Sequence, residues 1–278
     1  AHLAFGALST REVVQALDRR RKQLSPIDKS KFERNLSAFG SRLAWRCHFI
    51  QKLEDQPSIE TNCMHPAFEG LREKEHREDY FEAWKTGKTG IPFVDACMRN
   101  LISTGWITFR MRAMLVSFAS YQLWLDWRKT APYLAGLFTD YEPGIHYSQF
   151  QMQSGVTGIN AIRVYNPIKQ GLDQDPNGIF VRKWVPELRH IMGEAIHQPW
   201  LQEQTLFRAT SDQNEAIYPA PIVDLTLSAK AAKDKLAAVR KSDAFFMNKN
   251  AVYIRHGSRK RTAKSKSQKP APDQLNLF

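Results

Sequence analysis

Residues 90–112 read GIPFVDACMRNLISTGWITFRMR, and they carry the clearest evidence for the fold. Gly90-Ile91-Pro92 interrupts the chain, so a helix is predicted over residues 93–103. Thr104-Gly105 then separates that helix from a second long run at residues 106–130. Neither run shows the two-residue alternation of a half-buried strand. The stretch therefore predicts two consecutive helices joined by a short glycine turn.

The helical pattern continues upstream of this stretch. Ser9-Thr10-Arg11-Glu12 has the composition of a helix start, and apolar residues recur every three or four positions over residues 29–53. Between about residues 139 and 186 the chain is rich in glycine, proline, histidine and amides, which indicates a long loop. Long polar loops in compact domains usually carry function. The sequence predicts an all-α fold with a functional loop region at about 139–186.

Composition limits the class of protein. Of 278 residues, 42% are hydrophobic and 24% are charged, which fits a globular chain of one large domain or two small ones. The richest apolar run, residues 113–127, contains Ser117, Ser120 and Gln122 and is shorter than the ~20 residues of a membrane span. No secretory signal is visible, and three cysteines do not make a disulfide framework. We expect a cytoplasmic protein that does not associate with membranes.

Charge divides the chain into two parts. The sequence has 40 Lys and Arg against 28 Asp and Glu, a formal net charge of +12, which favours a polyanionic partner. Residues 255–278 hold seven basic residues and one acidic residue, so they carry +6 with little apolar content. We predict a folded helical body at 1–245 and a flexible basic tail at 246–278, with the other +6 on the surface of the body.

Six segments resemble one protein family in order and spacing. They are AWKTGKTGIP at 83–92, TGWITFRMR at 104–112, LDWR at 125–128, RVYNP at 163–167, FVRKWVPEL at 180–188 and HQPW at 197–200. Together they resemble the helical flavin-binding domain of the DNA photolyase and cryptochrome family, over about residues 1–200. The resemblance implies an all-α domain that binds FAD, in which light-excited reduced flavin donates an electron to a pyrimidine dimer in DNA.

The resemblance also implies a set of flavin-binding residues. Arg46 and Arg112 match the family arginines near the flavin, Asp140 matches the carboxylate paired with Arg112, and Glu142 stands where the family has a second Asp. A guanidinium beside a flavin needs a carboxylate partner, although Arg112 and Asp140 are also consistent with a purely structural ion pair. Two aromatic residues complete the predicted flavin-binding set: Trp106 and Phe109.

His146 stands opposite the reactive flavin nitrogen, where photolyases commonly have Asn. Histidine titrates near pH 6.5 when unperturbed, so we expect the yield of protonated flavin radical to depend on pH. The alternative is a neutral, hydrogen-bonded histidine that does not tune the flavin.

The family reduces its flavin through three tryptophans, and this chain keeps two of them. Trp84 matches the outer tryptophan and Trp127 the middle one, but Phe150 stands at the position next to the flavin. Phenylalanine is much harder to oxidise than tryptophan or tyrosine, so this route is interrupted. Four other aromatic residues are candidates for the missing step, and the sequence does not rank them: Trp106, Tyr121, Trp124 and Tyr147.

The lesion pocket departs from the family pattern. Trp45 is retained, but Arg42 replaces a glutamate, Met152 replaces the second stacking tryptophan and Phe109 replaces an asparagine. An apolar pocket is still able to hold a flipped base, while recognition of the base edge must differ. Two further arginines match phosphate-facing positions of the family: Arg110 and Arg163. Arg110 and Arg112 lie about 200° apart on a helix, so they serve different sites.

The resemblance favours a light-dependent flavoprotein that binds DNA and repairs pyrimidine photoproducts, near the nucleoid. The alternatives are a cryptochrome-like blue-light photoreceptor and a DNA-binding flavoprotein without repair activity. The last five residues are similar to the motif that docks bacterial repair proteins on the DNA sliding clamp, through Gln274, Leu275, Leu277 and Phe278. Such a short motif also arises by chance. No metal site is predicted, because none of the three cysteines lies in a C-x-x-C pair.

Overall fold

The computed structural model describes residues 1–201 and 218–257. Helices connected by turns make up these two ranges, and no strand occurs in them, so the predicted all-α fold is confirmed. The helices are α1 (Thr10–Gln23), α2 (Pro26–Asp55), α3 (Glu78–Lys85), α4 (Pro92–Thr104), α5 (Phe109–Ser117), α6 (Trp127–Leu137), α7 (Pro143–Gln153), α8 (Pro167–Gln174), α9 (Ile179–Trp184), α10 (Leu225–Arg240) and α11 (Asp243–His256).

Local sequence signals fix the start of the chain. The Ser9 hydroxyl accepts a hydrogen bond from the Glu12 amide at 3.1 Å, and the Glu12 carboxylate accepts one from the Ser9 amide at 2.7 Å. This reciprocal cap starts α1, as its sequence predicts. Leu17 then packs on α2 at Gly40, where a Cβ atom would lie only 3.1 Å from the leucine side chain. The two helices form a hairpin.

The predicted helix over residues 106–130 is wrong, because the structure divides it. α5 ends at Ser117, a wide π-helical turn spans Phe118–Gln122, and α6 begins at Trp127 with the Asp126 carboxylate accepting from the Arg128 amide. The buried Arg72 donates to the Ser120 carbonyl at 3.0 Å, which gives that carbonyl a partner outside the helix. The partner lies 48 positions away, so periodicity does not reveal it.

The predicted loop region at about 139–186 also needs correction, because it contains α7, α8 and α9. Pro143 and Pro167 lie at the first turns of α7 and α8, where proline is favoured because the first amides have no partner. α7 is polar and yet partly buried. The Gln151 amide inside it donates to the carbonyls of Ile59 and Asn62 and accepts from the Met64 amide.

The predicted boundary between body and tail lies within a helix. α11 continues through His256, and Phe245, Val252 and His256 of that helix are buried, so the packed body extends about ten residues beyond position 245. The rest of the predicted tail lies outside the described residues. So do the four residues of the clamp-like motif: Gln274, Leu275, Leu277 and Phe278.

α7 is held close to α2 by a glycine. A Cβ atom on Gly144 would lie 2.6 Å from the Ile50 Cα atom of α2, so only glycine allows this approach of the two backbones. The contact brings the start of α7 next to the C-terminal part of α2. It positions the side chains that α7 directs away from α2, and these line the site described below.

α4 passes through the core and carries one charged group there. Asp95 is fully buried, and its carboxylate accepts hydrogen bonds from the Thr89 amide and hydroxyl, the Gly90 amide and the Tyr218 hydroxyl at 2.5 Å. Burial raises the pKa of Asp95 to about 6, although these donors act in the opposite direction. The carboxylate thus anchors Tyr218 to α4.

We predict that Tyr218→Phe destabilises the fold, because the ionised Asp95 loses a buried donor. The free energy of unfolding at pH 8 should fall by about 1–3 kcal/mol. The Tyr218 hydroxyl stabilises the ionised form of Asp95, which predominates in the folded protein only above its pKa of about 6. The difference in unfolding free energy between variant and wild type should therefore be smaller at pH 5 than at pH 8. Urea denaturation at the two pH values measures this.

Tyr253→Phe on the exposed side of α11 is the matched control, with an expected change within about 0.5 kcal/mol. Equal stabilities of Tyr218→Phe and wild type at pH 8 would contradict the anchoring role of Asp95.

Candidate functional site

A cavity of about 330 Å³ opens between α5, α7 and the turn that joins α6 to α7. Its lining includes six of the seven residues that the sequence assigns to the flavin: Trp106, Phe109, Arg112, Asp140, Glu142 and His146. The seventh, Arg46, contacts Glu142 at the cavity wall. The structure therefore gathers the whole predicted set, which comes from four different segments of the chain, around one cavity.

The Arg112 guanidinium has every nitrogen engaged. Two of them donate to the two carboxylate oxygens of Asp140 at 2.9 and 3.0 Å, and Nε donates to the Ile107 carbonyl at 2.9 Å. The guanidinium also lies over the Phe138 ring, 4.1 Å from its centroid. Because Asp140 holds two nitrogens of this guanidinium and the Ile107 carbonyl holds the third, its orientation is fixed. The pair places a fixed positive and a fixed negative group at the cavity wall.

A second ion pair joins α2 to the cavity. Arg46 donates to the Glu142 carboxylate at 3.0 Å, and about a fifth of each side chain is exposed. Glu142 immediately precedes the first turn of α7. A negative charge at a helix N-terminus is favourable, so Glu142 is stabilised from both sides.

His146 lies in an aromatic environment on α7. Its ring centroid is 4.7 Å from that of Phe150, 5.2 Å from Tyr141 and 5.3 Å from Tyr147. Its Nε2 lies 2.9 Å from the Ala131 carbonyl. Because a carbonyl only accepts, Nε2 carries the proton.

Burial lowers the pKa of His146 to about 4, outweighing the Ala131 carbonyl, which acts in the opposite direction. The imidazole is therefore neutral from pH 6 to 9. This environment favours the neutral, hydrogen-bonded histidine of the alternative, while the pH dependence of the flavin radical itself stays a prediction.

Gln149 is a site residue that the sequence reasoning missed. Its side-chain oxygen is buried and has no hydrogen-bond partner among residues 1–201 and 218–257, although the residue lines the cavity. Residues 146, 149, 150 and 153 all line the cavity and follow helical spacing, so one stripe of α7 faces it. That spacing is the signal that reveals Gln149. A buried amide oxygen without a partner fits a bound group that offers an N–H donor.

The two predicted tryptophans of the electron route lie in the core. Trp127 is 1% exposed and Trp84 is 0% exposed, so the Trp84 ring lies in the core, and its match to the outer tryptophan of the family stays a prediction. Its ring packs at 6.0 Å from Tyr133 and 6.2 Å from Phe81, which are both partly buried. Flanking aromatic residues therefore separate Trp84 from solvent.

The structure ranks the candidates for the interrupted step. The Arg72 guanidinium lies 4.4 Å from the Trp124 ring centroid and 5.9 Å from that of Tyr121, and the Lys235 ammonium lies 4.6 Å from Trp124. Nearby positive charge opposes removal of an electron from a ring. Trp106, which lines the cavity, and Tyr147, which contacts His146, are therefore the better candidates.

Of the residues predicted for the lesion pocket and the phosphates, only Phe109 lines the cavity, and most of the others are exposed. Trp45 is 47% exposed and stacks with Arg42, whose guanidinium lies 4.3 Å from the ring centroid. Phe109 at the cavity mouth is 60% exposed. Arg110 and Arg163 are exposed and Met152 is half-buried. Arg110 thus faces solvent while Arg112 faces the cavity, in agreement with the 200° between them.

In the part of the chain that the structure describes, no cluster of His, Cys, Asp and Glu has the geometry to hold a metal ion. Cys63 and Cys97 are buried and Cys47 is exposed. Within the same ranges, no helix combines the length and the hydropathy needed to cross a membrane.

We predict that His146 does not titrate in the neutral range. In ¹⁵N-labelled protein, its side-chain signals should keep the pattern of a neutral ring protonated at Nε2 from pH 5.5 to 9, because burial disfavours the charged form. NMR spectra across this range measure it, with His146→Asn identifying the signals by their loss. Signals that shift with a midpoint between pH 6 and 8 would show that the ring is charged near neutrality.

Comparison with known proteins agrees with this geometry. A family model described as the FAD binding domain of DNA photolyase matches residues 39–238. A deoxyribodipyrimidine photo-lyase of Streptomyces griseus is 36% identical over 225 residues, which is 81% of this chain and 45% of that protein. Cryptochrome DASH of Danio rerio is 43% identical over 145 residues, which is 51% of this chain and 28% of that protein.

A solved structure gives the same result for the fold. The bacterial class III photolyase of Agrobacterium tumefaciens superposes with a TM-score of 0.73 at 30% identity, covering 87% of this chain and 49% of that one. The chain thus spans about half the length of the photolyases that it matches. The paired charges, aromatic wall and unpartnered Gln149 amide of the cavity fit the polar and aromatic chemistry of FAD. The chain belongs to the DNA photolyase and cryptochrome family, and it carries the FAD-binding domain of that family.

Proposed function

We propose that this chain is the flavin-binding and DNA-binding part of a photolyase that repairs pyrimidine photoproducts in light. The observation that carries the proposal is the cavity, where the Arg112–Asp140 pair forms one wall and exposed aromatic residues form the mouth. Bound FAD would supply the photochemistry, an electron passed from light-excited reduced flavin to the lesion. The protein then has to hold the cofactor, admit a flipped base and exclude water.

The residues of this chain divide that work. Arg112, Asp140 and the Gln149 amide would hold the polar edge of the flavin, since each has a fixed or unpartnered polar group at the cavity. The neutral His146 adds a polar ring without adding charge. Phe109 at the mouth and the exposed Trp45 on α2 offer aromatic surface for a base removed from its stack.

A blue-light photoreceptor is the second candidate, and the lesion pocket favours it. Arg42 stacks on Trp45 and so covers one side of the aromatic ring that a lesion would use. Arginine donates where the family glutamate accepts, so a pyrimidine edge has to be recognised differently. The proposal of repair therefore depends on whether Arg42 leaves Trp45 when DNA binds.

We predict that the FAD-loaded protein removes photoproducts under blue or near-UV light and not in the dark. The substrates are oligonucleotides that carry one cyclobutane dimer or one (6-4) product, single-stranded and double-stranded, and chromatography measures the loss of the lesion. Trp45→Ala should weaken binding of the damaged strand by about 1–3 kcal/mol, because a stacking surface is lost. No light-dependent loss from any of the four substrates would favour the photoreceptor.

We also predict that Arg112 and Arg110 have separable roles. Arg112→Gln should lower FAD affinity about 10–100-fold, because a charge-assisted pair worth about 1.5–3 kcal/mol is removed and Asp140 is left unpaired. Arg110→Gln should keep its FAD. Its slope of log K for DNA against log salt should fall by about 0.9, the contribution of one phosphate contact.

Flavin absorbance after gel filtration and fluorescence anisotropy with DNA measure the two effects. Each variant is the control for the other, because both remove one charge from the same helix. Equal losses of FAD in both variants would contradict the division.

A further inference from the structure

The positive charge of the folded body is concentrated at its beginning. Residues 1–55, which end with α2, hold 11 Lys and Arg against 6 Asp and Glu, a net charge of +5. Residues 56–254 hold 22 Lys and Arg against 21 Asp and Glu, a net charge of +1. The α1–α2 hairpin therefore carries most of the excess charge of the body, away from Arg110 and Arg163.

Helical geometry arranges part of this charge in one line. At 100° per residue, Lys31, Arg34, Arg42 and Trp45 lie within an arc of about 80° on α2. All four side chains are exposed. Lys31, Arg34, Arg42 and Trp45 are called the α2 stripe below.

The α2 stripe points away from the rest of the hairpin. Gly40, which receives Leu17 of α1, lies about 180° around the helix from Lys31, so α1 packs on the opposite side. Glu33 is the only acidic residue between positions 29 and 53. Its carboxylate lies 3.7 Å from Arg21 of α1 and therefore also on the far side. Within residues 29–53, Lys31 and Arg34 therefore have no carboxylate on their side of α2.

The α2 stripe begins at the cavity and leads away from it. Arg46, one turn after Arg42, pairs with Glu142 at the cavity wall. From Arg42 back to Lys31 is 11 residues, or about 16 Å of helix. Phosphates of one B-DNA strand follow each other every ~3.4 Å along the axis, so the stripe is as long as about five of them.

We infer that the α2 stripe binds the phosphate backbone of DNA flanking the base held at the cavity. This inference rests on the proposed function, and it specifies the substrate as DNA that extends several nucleotides beyond the lesion on the α2 side. Arg34 and Lys31 contact phosphates about 12 to 16 Å from Arg42. The Arg42–Trp45 stack lies between this backbone track and the cavity mouth.

Two double variants test the inference at equal net charge. Lys31→Gln with Arg34→Gln removes the outer half of the α2 stripe. Lys22→Gln with Lys29→Gln removes two exposed charges from the same hairpin, and Lys29 lies about 160° around α2 from Lys31. All four positions are exposed, so both variants should fold, and circular dichroism and bound FAD check this.

Fluorescence anisotropy is measured between 50 and 300 mM salt with two probes that carry a cyclobutane dimer. One is a 20-base-pair duplex, and the other is a pentanucleotide too short to reach Arg34 from the cavity. On the duplex, the slope of log K against log salt should fall by about 1.8 in the stripe variant, since each contact contributes about 0.9. On the pentanucleotide, this variant should bind like wild type. The control variant should keep the wild-type slope on both probes.

Each result decides the inference. An equal loss of slope in the stripe variant and the control variant would show a general effect of net charge and would overturn the inference. An unchanged slope in the stripe variant, with wild type binding the duplex, would also overturn it. A wild-type protein that binds neither probe would overturn the proposed function together with the inference, and this outcome is distinct from the other two.

Discussion

The Arg112–Asp140 pair is the interaction on which the site depends. Arg112 belongs to α5 and Asp140 to the turn before α7, so the two parallel hydrogen bonds set the distance between those elements. Breaking a partly buried pair by removing one partner leaves an uncompensated charge, which costs more than the pair contributes when intact. The pair therefore need not add to the stability of the fold, and its main effect is to position α5 relative to the turn before α7. It fixes the cavity wall, and α7 begins three residues later, at Pro143.

Much of the fold could be predicted from local signals, and the errors have one physical origin. The cap at Ser9 and the break at Gly90-Ile91-Pro92 correctly predicted the starts of α1 and α4, because a cap and a proline act within one turn. Within the π-helical turn after Ser117, the Ser120 carbonyl meets Arg72, which is distant in sequence. Proline content over residues 139–186 indicates a loop, although Pro143 and Pro167 start helices. The backbone groups that meet the buried Gln151 side chain of α7 come from residues 59–64, which no periodic pattern indicates.

The same limit applies to the site. The motif match identified Arg112 and Asp140, and the structure brings them together around the predicted cavity. It could not supply the environment of His146, because the pKa of an imidazole depends on burial and on the carbonyl that it meets. It also could not give the exposure of Trp84, since the residue type is the same whether the ring is exposed or covered by Tyr133 and Phe81. Residue identity is visible in a sequence, whereas desolvation arises only from packing.

The distribution of charge in the body follows from two different demands. Inside the cavity, Arg112 and Arg46 are each paired with a carboxylate and His146 is neutral, so a cofactor enters without meeting an isolated charge in a low-dielectric space. Along α2, exposed positive charge contributes to the affinity for DNA. A lysine or arginine that neutralises a phosphate releases the counterion bound there, which favours the complex. Excess charge near the cavity would attract phosphate into the space meant for a flavin and a base. Separating paired charge at the cavity from excess charge on the α1–α2 hairpin satisfies both demands in one chain.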